Sequence, residues 1–340
     1  MNSREIVFKT LKGKNTPRPA CGPLAVHFCA TDNGVSIEDF SLKSSVHADC
    51  IIRYHEKYKP DTVWISADTW VTAEAMGAPV HFPGNDQPLS GFPEGFVHSA
   101  AELNKIPKPD PYVQGRHPIL LDALSRVVDV LGKDVFIVGC FDQSPFSLAC
   151  QIAGITTVMT KLTEDLPFLE ALMEKCFEYS LAYAKAMATC GADMLSTGNS
   201  PAGLIGPTQY ANIVVPVEKR LFSGLKKTGK SLSLHICGDS TALLEDMAAI
   251  GADVLEIDYH VSIGKALEKV GDRVALWGNI DPVTVLLQGK RSEVKSSVRE
   301  LIVDVKEVGC RKFILSSGCT LAPTTPSENL LAFIQESRKW

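Results

Sequence analysis

The chain has 340 residues, of which 45% are hydrophobic, with a formal net charge of −5 and 10 cysteines. This length is sufficient for one large α/β barrel or for two smaller domains. The mild negative charge argues against a nucleic acid or an anionic membrane surface as partner. No apolar run reaches the roughly 18 residues of a membrane span, and the amino terminus lacks the apolar segment of a secretory signal. We therefore expect a cytoplasmic protein whose cysteines are free thiols.

Eight short apolar segments, rich in β-branched residues, alternate with amphipathic stretches. Such strands indicate a parallel sheet covered on both faces, and eight units predict closure into a (β/α)8 TIM barrel. An open doubly wound sheet is the alternative, but no Gly-x-Gly-x-x-Gly follows a predicted strand. The predicted strands are Pro23–Phe28, Thr62–Ala67, Val135–Cys140, Asp193–Thr197, Ser231–Ile236, Asp253–Ile257, Val274–Gly278 and Phe313–Ser317.

Helical periodicity is clearest in Glu164–Thr189, Pro207–Thr228, Ser240–Ile250 and Arg291–Val308. No repeat or linker interrupts the chain, so we predict a single domain over residues 1–340. Residues from about 77 to 115 are irregular and rich in Pro and Gly, and long loops in compact domains are usually functional. We expect this segment to be a lid over the barrel mouth, with an ordinary surface excursion as the alternative. The longest predicted helix is compatible with a homodimer interface as well as with exposure to solvent.

Two segments far apart in the chain place soft metal ligands at the ends of predicted strands. One apolar run ends in His235-x-Cys237, and another ends in Gly318–Cys319. His235 and Cys237 point to the same side of an extended backbone. One imidazole and two thiolates leave a fourth tetrahedral position open, as in a catalytic zinc site. From the spacing alone, two unrelated thiols and a core histidine remain the alternative.

Other polar and aromatic residues also follow predicted strands. Barrels of this class carry their active sites at the carboxyl ends of the strands, so these residues are candidates for catalysis or substrate contact. A single such residue is more often structural than catalytic. The candidate acids are Asp68, Asp142 and Asp258, and the candidate substrate contacts are His27, Trp70, Phe141, Asn199, Tyr259 and Asn279.

The predicted strand-to-helix loops contain no basic residue. Lys and Arg are absent from residues 19–42, 60–104, 134–160, 187–218, 231–264, 274–289 and 313–337. A multiply anionic substrate would need Arg or Lys at the barrel mouth. The pattern therefore favours a neutral, partly aromatic ligand, although a cation from elsewhere, such as Arg116, could reach the mouth.

Four segments resemble the uroporphyrinogen decarboxylase superfamily, and the resemblance extends over nearly the whole chain. They are Glu74–Ala78 with Phe82–Pro83, His235–Asp239, Trp277–Pro282 and Ser317–Pro326. The superfamily has a (β/α)8 barrel, in agreement with the strand count. True decarboxylases carry an Arg-Gln-Ala-Gly-Arg segment that grips the porphyrinogen carboxylates, whereas Gly22–Phe28 of this chain contains no arginine.

The His-x-Cys and Gly-Cys pair is instead similar to the zinc-dependent corrinoid methyltransferase branch of that superfamily. This resemblance implies that His235, Cys237 and Cys319 bind zinc. It also implies a corrinoid (cobalamin) that is carried by a separate corrinoid-binding protein. A methyl group would then move between a small-molecule donor or acceptor and the cobalt of that partner.

Two substrate classes fit this branch. In the first, an aromatic methyl ether is demethylated (O-demethylase), and Asp68, Asp142 or Asp258 protonates the departing phenolate. In the second, a thiol such as coenzyme M accepts the methyl group. Two thiolate ligands neutralise the zinc charge and suit the thiol, but a buried sulfonate needs a cation that the loops lack. The ether is therefore favoured, ahead of the thiol, of a metal-independent tetrapyrrole decarboxylase and of a barrel that only binds its ligand.

Overall fold

The computed structural model describes residues 1–84 and 86–340. Eight parallel strands form one sheet, in the order β1-β10-β9-β8-β7-β6-β5-β2, with helices on its outer side. The predicted (β/α)8 TIM barrel is thereby confirmed. The strands are β1 Ala20–Cys21, β2 Thr62–Ile65, β3 Val80–His81, β4 Leu89–Ser90, β5 Phe136–Gln143, β6 Met194–Gly198, β7 Ser231–Ile236, β8 Val254–Ile257, β9 Ala275–Ile280 and β10 Phe313–Ser317. β3 and β4 form a separate antiparallel hairpin.

The two edge strands, β1 and β2, meet at the seam that closes the barrel. The backbone N–H of Asp61, just before β2, donates a hydrogen bond to the Cys21 carbonyl over 2.8 Å. The Asp61 carboxylate accepts from the Cys21 N–H (2.9 Å) and from both terminal nitrogens of Arg18 (2.6 Å each). These bonds satisfy the edges of a sheet that would otherwise expose unpaired backbone groups.

Alternate residues of each strand pack in two separate cores. In β5, Phe136 and Val138 face the barrel axis, where they pack with residues of the other strands such as Trp277. Ile137 and Phe141 instead pack between the sheet and the surrounding helices. The two-residue period of an extended chain therefore decides which side chains can reach the barrel interior.

The amino-terminal helix closes the barrel at the end opposite to the strand carboxyl ends. This helix, Ser3–Leu11, contributes Ile6, Val7 and Phe8 to the axial core. Arg4 pairs with Asp193, which precedes β6, with a shortest separation of 2.7 Å. Because the helix covers the amino-terminal end of the barrel, the accessible interior lies at the carboxyl end.

The α-helices are α1 Ser3–Leu11, α2 His27–Asp32, α3 Ile37–Leu42, α4 Ser44–Tyr58, α5 Val71–Ala75, α6 Ala100–Leu103, α7 His117–Leu131, α8 Pro145–Ala153, α9 Ile155–Glu164, α10 Leu166–Thr189, α11 Gly206–Gln209, α12 Val215–Lys226, α13 Leu244–Ala249, α14 Ile263–Val270, α15 Arg291–Glu307 and α16 Ser327–Ser337. A 3-10 turn covers Ser200–Leu204, and π-helical segments cover Tyr210–Val214 and Pro282–Leu287. In the described part of the chain, none of the helices combines the length and apolar character of a membrane span.

Seven predicted strands overlap observed ones, but the first prediction, Pro23–Phe28, is wrong. The strand is the shorter Ala20–Cys21, and the apolar run after it turns over the barrel mouth and enters α2 at His27. His27, Phe28, Cys29 and Ala30 are all buried in α2. A short helix that is buried on every side lacks amphipathic periodicity, so its sequence is indistinguishable from that of a buried strand.

Candidate active site at the barrel mouth

A cavity opens at the carboxyl ends of the barrel strands. Six of the residues predicted from the sequence line it: His27, Asp68, Asp142, His235, Cys237 and Cys319. The sulfur and imidazole groups lie on the side of β7 and β10, and the carboxylic acids lie on the side of β2 and β5. We call these two groups the metal side and the acid side of the cavity.

On the metal side, three potential ligands converge from two distant segments. The Nε2 atom of His235 lies 3.0 Å from Sγ of Cys237, which lies 4.0 Å from Sγ of Cys319. All three ligand atoms lie within 4.8 Å of one another. A tetrahedral zinc ion with Zn–S bonds of about 2.3 Å separates two sulfur ligands by about 3.8 Å. The two sulfur atoms are therefore separated nearly as they would be around one such ion, and the imidazole nitrogen lies beside them.

The His235 ring is oriented by the backbone of the neighbouring strand. Its Nδ1–H donates a hydrogen bond to the carbonyl oxygen of Glu256 in β8 over 2.9 Å. This bond fixes the ring so that Nε2 points at the sulfur atoms, as outer hydrogen bonds to metal-binding histidines usually do. The arrangement follows from register, because His235 and Glu256 are paired across β7 and β8.

Two glycines allow the sulfur ligands to approach. Gly238, directly after Cys237, has a φ of +82°, a conformation that side chains rarely adopt. Gly318, directly before Cys319, packs so closely on the next loop that an added Cβ would lie 2.4 Å from the backbone nitrogen of Tyr259. The Cys-Gly and Gly-Cys pairs are thus geometric requirements of the site.

The titratable groups of the metal side shift one another's pKa. The pKa of Cys237 is lowered because the Cys319 thiol donates a hydrogen bond to it, and the same contact with burial raises the pKa of Cys319 to about 12. Burial opposes protonation of His235, but Cys319 and Glu256 raise its pKa to about 9. A buried imidazole that gains a proton in this way lies in a field that favours a cation.

Glu256 lies beneath this site and was missed in the sequence. Its carboxylate is buried in the barrel and accepts hydrogen bonds from Ser196 (2.7 Å) and Ser233 (2.6 Å). Burial raises its pKa. The signal was present, because Glu256 interrupts an apolar strand and shares the inward parity of Val254.

On the acid side, Asp68 is neutralised by a buried arginine. The guanidinium of Arg116 is 3% exposed, bonds both carboxylate oxygens of Asp68 and also contacts Glu74 at 2.5 Å. The ring of Phe82 covers the guanidinium, with its centroid 5.5 Å from Cζ of Arg116. Arg116 thus approaches the mouth, as the sequence allowed, but two carboxylates offset its charge.

Asp142 differs from Asp68 because it has no cationic partner in direct contact among the described residues. It receives hydrogen bonds from the Thr72 N–H and the Gln143 side chain, each over 3.3 Å. Burial, followed by the repulsion of Asp68, raises the pKa of Asp142 to about 8. Asp142 is therefore largely protonated at neutral pH and can donate a proton into the cavity.

The backbone at Asp142 is unusual. Its φ is +76°, and the pairing of β5 with β6 changes register between Cys140 and Gln143. Asp tolerates this left-handed conformation better than most residues do, and bulges next to active sites commonly redirect a side chain. The irregularity ends the regular strand where the carboxyl group enters the cavity.

His27 also lines the cavity, although from α2 and not from a strand end as predicted. Burial is the main cause of its lowered pKa, so the imidazole is neutral near pH 7. One ring nitrogen interacts with the Ala67 carbonyl, while Nε2 has no partner among the described residues. His27 therefore keeps a buried hydrogen-bonding atom beside the acid side.

The other predicted residues lie outside the cavity lining. Phe141 is fully buried in the outer core, because its side chain lies on the opposite face of β5 from those of Cys140 and Asp142. Trp70 packs partly buried against the same core at the start of α5. Asn199 is fully buried and bonds Glu218 over 2.7 Å. The prediction that these three side chains contact substrate is corrected accordingly.

Three further candidates stabilise the loops around the metal side. The Asp258 carboxylate accepts hydrogen bonds from the backbone and the ring of His260, over 2.9 and 2.8 Å. The Asn279 side chain donates to the carbonyls of Asp258 and Val261. The ring of Tyr259 lies against His260 at the surface. These three residues follow strands as predicted, but their side chains stabilise loops and do not line the cavity.

The predicted lid contributes to the cavity through one described residue. Gln87, between β3 and β4, lines it. The segment is anchored on the barrel by Phe96 and Val97, whose N–H groups both donate to the Ile152 carbonyl. Its movement as a lid stays a prediction. The organisation of residues 1–340 as a single domain also stays a prediction.

A barrel whose mouth combines an imidazole, two thiols and a buried carboxylic acid has the composition of an enzyme active site. The chain belongs to the uroporphyrinogen decarboxylase (URO-D) family, whose model matches residues 2–340. The resemblance that the sequence motifs indicated is thus confirmed.

The chain is similar to members of this family that bear two different activities in their names. It is 30% identical over 229 residues to methylcobamide:CoM methyltransferase MtbA of Methanosarcina acetivorans, covering 67% of this chain and 65% of that protein. It is 26% identical over 282 residues to uroporphyrinogen decarboxylase of Geobacter metallireducens, covering 81% of this chain and 79% of that protein. The alignment with MtbA thus spans slightly less than two thirds of that relative.

A solved structure shares the fold over its full length. A methyltransferase from Methanosarcina mazei matches with a TM-score of 0.89 and 24% identity, covering 100% of this chain and 99% of that one. At this level of identity the match establishes the fold, and the function has to be argued from the site.

Proposed function

We propose that this protein is a zinc-dependent methyltransferase that moves a methyl group between a small molecule and the corrinoid of a separate protein. The observation that carries the proposal is the convergence of His235, Cys237 and Cys319 within 4.8 Å at the open end of the barrel. The name of MtbA, a relative at 30% identity, supports the same class of reaction.

His235, Cys237 and Cys319 would hold the zinc ion and leave one position for the substrate. When bound, zinc supplies a positive charge that lowers the pKa of a thiol or polarises an ether oxygen. The protein's own contribution is to fix the imidazole through the Glu256 carbonyl and to enclose the substrate between the metal side and the acid side.

The charge of the cavity favours a neutral methyl donor, such as an aromatic methyl ether. Among the described residues, the lining contains no Lys or Arg, and the buried Arg116 is neutralised by Asp68 and Glu74. A buried sulfonate or carboxylate without a cation would be costly. Val26, Trp64 and Leu321 provide apolar lining for a ring.

Asp142 is the acid best suited to the leaving group of an ether. It lines the cavity and is held protonated by burial, with its pKa raised to about 8. Asp68 is committed to Arg116, and Asp258 is committed to His260. Of the three candidate acids, Asp142 therefore has both the position and the proton to neutralise a phenolate.

The second candidate function is methyl transfer to a thiol such as coenzyme M. The name of MtbA favours it, and two thiolate ligands leave a weak Lewis acid that suits a thiolate better than an ether. Uroporphyrinogen decarboxylase is the other activity named among the relatives. Such an enzyme would need cations to bind the many carboxylates of its substrate, and the described lining contains no Lys or Arg.

A single assay separates these candidates. Purified protein is mixed with a corrinoid-binding protein in the Co(I) state and either methoxylated aromatics or methylated thiols, and the absorbance of methylcobalamin is followed. The proposal predicts methylcobalamin from neutral methyl ethers, loss of the signal after removal of zinc with a chelator, and its return with added zinc.

The alternatives give different outcomes in this assay and in a parallel one with uroporphyrinogen as the substrate. Methyl exchange with coenzyme M alone would transfer the proposal to the thiol. Porphyrin products from uroporphyrinogen, formed equally with and without a chelator, would establish a decarboxylase and contradict methyl transfer.

A further inference from the structure

A hydroxyl group contacts one of the sulfur ligands. Oγ of Ser200, in the 3-10 turn after β6, donates a hydrogen bond to Sγ of Cys237 over 3.2 Å. The other sulfur has a weaker neighbour, since Oγ1 of Thr320 lies 4.0 Å from Sγ of Cys319. The two ligand sulfurs therefore differ in the hydrogen bonding that they receive.

A buried polar cluster fixes the turn that carries Ser200. The preceding residue, Asn199, is fully buried, and its backbone N–H donates to the His235 carbonyl over 2.8 Å. Its side chain donates to Glu218, which also accepts from the hydroxyl of Tyr210, each bond being 2.7 Å long. Glu218 is itself fully buried. Four buried polar groups thus hold the backbone directly before the exposed Ser200.

The turn also lies close to the metal side through its backbone. A Cβ added at Gly203 would lie 3.4 Å from the carbonyl oxygen of Cys237. Asn199 is therefore tied to β7 at His235, while Gly203 lies against the residue that follows that strand. This double attachment restricts the positions that the Ser200 hydroxyl can take relative to the sulfur.

A hydrogen bond to a metal-bound thiolate changes the metal as well as the sulfur. The O–H group draws electron density from sulfur, so the sulfur donates less charge and the metal remains a stronger Lewis acid. The thiolate also becomes a weaker nucleophile, because part of its charge is engaged by the donor. Both effects matter where two thiolates would otherwise neutralise the metal ion.

We propose that Ser200 tunes the metal centre by donating its hydroxyl to the Cys237 thiolate, with the Asn199–Glu218–Tyr210 cluster as the support that positions it. This inference rests on the proposed function only in that a metal occupies the site. It assigns a role to Ser200 and Asn199 that neither parity nor strand-end position indicates. The hydrogen bond from Ser200 would also offset the weak Lewis acidity that two sulfur ligands impose on the metal.

The test uses cobalt(II) in place of zinc in the full-length protein, because sulfur-to-cobalt charge-transfer bands report the charge on the sulfur ligands. Removing the hydroxyl in Ser200→Ala should move the band to longer wavelength, since the sulfur becomes richer in electrons. Ser200→Thr keeps the hydroxyl and should restore the wild-type band. Ser66→Ala, which removes a cavity hydroxyl beside Cys140, is the matched control and should leave the band in place.

A second measurement uses the zinc-loaded protein and does not depend on catalysis. Alkylation of Cys237 by iodoacetamide, followed by peptide mass spectrometry, should be about fivefold faster in Ser200→Ala, the factor that corresponds to roughly 1 kcal/mol for one hydrogen bond. An unchanged band and an unchanged alkylation rate in Ser200→Ala, with cobalt and zinc bound, would overturn the role of Ser200 and leave the metal site intact. Failure of the wild-type protein to bind either metal would instead overturn the proposed function.

Discussion

The metal side and the acid side of the cavity are built in different ways. His235 lies in β7, Cys237 follows that strand directly, and Cys319 comes two residues after β10. Their positions depend on strand register and on two adjoining glycines. Asp68 is instead paired with Arg116, which lies directly before α7, and Asp142 is governed by burial and by the charge of Asp68. Local backbone geometry thus defines the metal side, whereas long-range electrostatics defines the acid side.

Because they are built differently, the two sides should respond differently to substitution. Loss of a ligand on the metal side should remove the metal and leave the fold in place, because the ligand atoms contribute little to the core. Loss of a charge on the acid side should alter proton transfer or stability while the metal remains. The two sides should therefore be separable by substitution.

The largest effect is expected from substitution of a sulfur ligand. Cys319→Ser replaces a soft ligand by a hydroxyl, so zinc affinity should fall by more than the 10–100-fold that loss of an outer hydrogen-bond partner costs, and methyl transfer should fall to background. Metal analysis after gel filtration measures the affinity, and circular dichroism checks the fold. Cys310→Ala, at a half-buried cysteine near the other end of the barrel, is the control that should retain zinc. A Cys319→Ser protein that lacks zinc but is fully active would refute the role of the metal.

The acid side should respond next most strongly, through Asp142. Asp142→Asn keeps the shape but cannot donate an acidic proton, so kcat for an aryl methyl ether should fall by about 10²- to 10⁴-fold, as for loss of a general acid. Zinc content should not change. The loss should shrink for ethers whose phenol is more acidic, since those leaving groups need less help. Asp258→Asn, whose carboxylate faces His260, should show a smaller loss; equal losses in the two variants would contradict the assignment of Asp142.

Arg116 should control stability without affecting metal binding. Arg116→Gln leaves Asp68 and Glu74 without their buried partner, and breaking such a pair costs roughly 3–5 kcal/mol of unfolding free energy. Urea unfolding measures this change. Arg126→Gln removes an exposed i,i+4 pair with Asp122 and should leave the unfolding free energy nearly unchanged, because solvent screens such pairs. Similar losses in both variants would show that the buried pair is not special.

The smallest effect is expected in the pH profile. Because the pKa of Asp142 is raised to about 8, the group is protonated below that pH, and the ether reaction should slow about tenfold per unit above it. The same sign holds for stability: a carboxyl with a raised pKa in the folded state contributes fully below its unfolded pKa of about 4, and this contribution is lost as pH rises through about 8. Asp142→Asn should remove the alkaline limb, and an unaltered limb would assign it to another group.

The barrel and the convergence of His235, Cys237 and Cys319 could be predicted because their signals are local. Apolar strands alternating with helices, a His-x-Cys on extended backbone and a Gly-Cys after another strand are all contained in short stretches of sequence. The same local parity would have excluded Phe141, which alternates with Cys140 and Asp142, and would have found Glu256, which shares the parity of Val254.

The remaining features depend on tertiary contacts that no local pattern contains. The pairing of Arg116 with Asp68 joins residues 48 positions apart. The bond from Asn199 to Glu218, which supports the turn of Ser200, requires α12 to pack beside β7. The short first strand and the buried α2 gave the same apolar signal as one longer strand. In each case the chemical type of the residue could be read from the sequence, but the residues that it contacts in the fold could not.

X-ray absorption at the zinc edge of the purified protein tests the central claim most directly. The account predicts a first shell with two sulfur atoms at about 2.3 Å and nitrogen or oxygen at about 2.0–2.1 Å, with one sulfur lost in Cys237→Ala. A shell of nitrogen and oxygen alone, or active protein that contains no zinc, would contradict it.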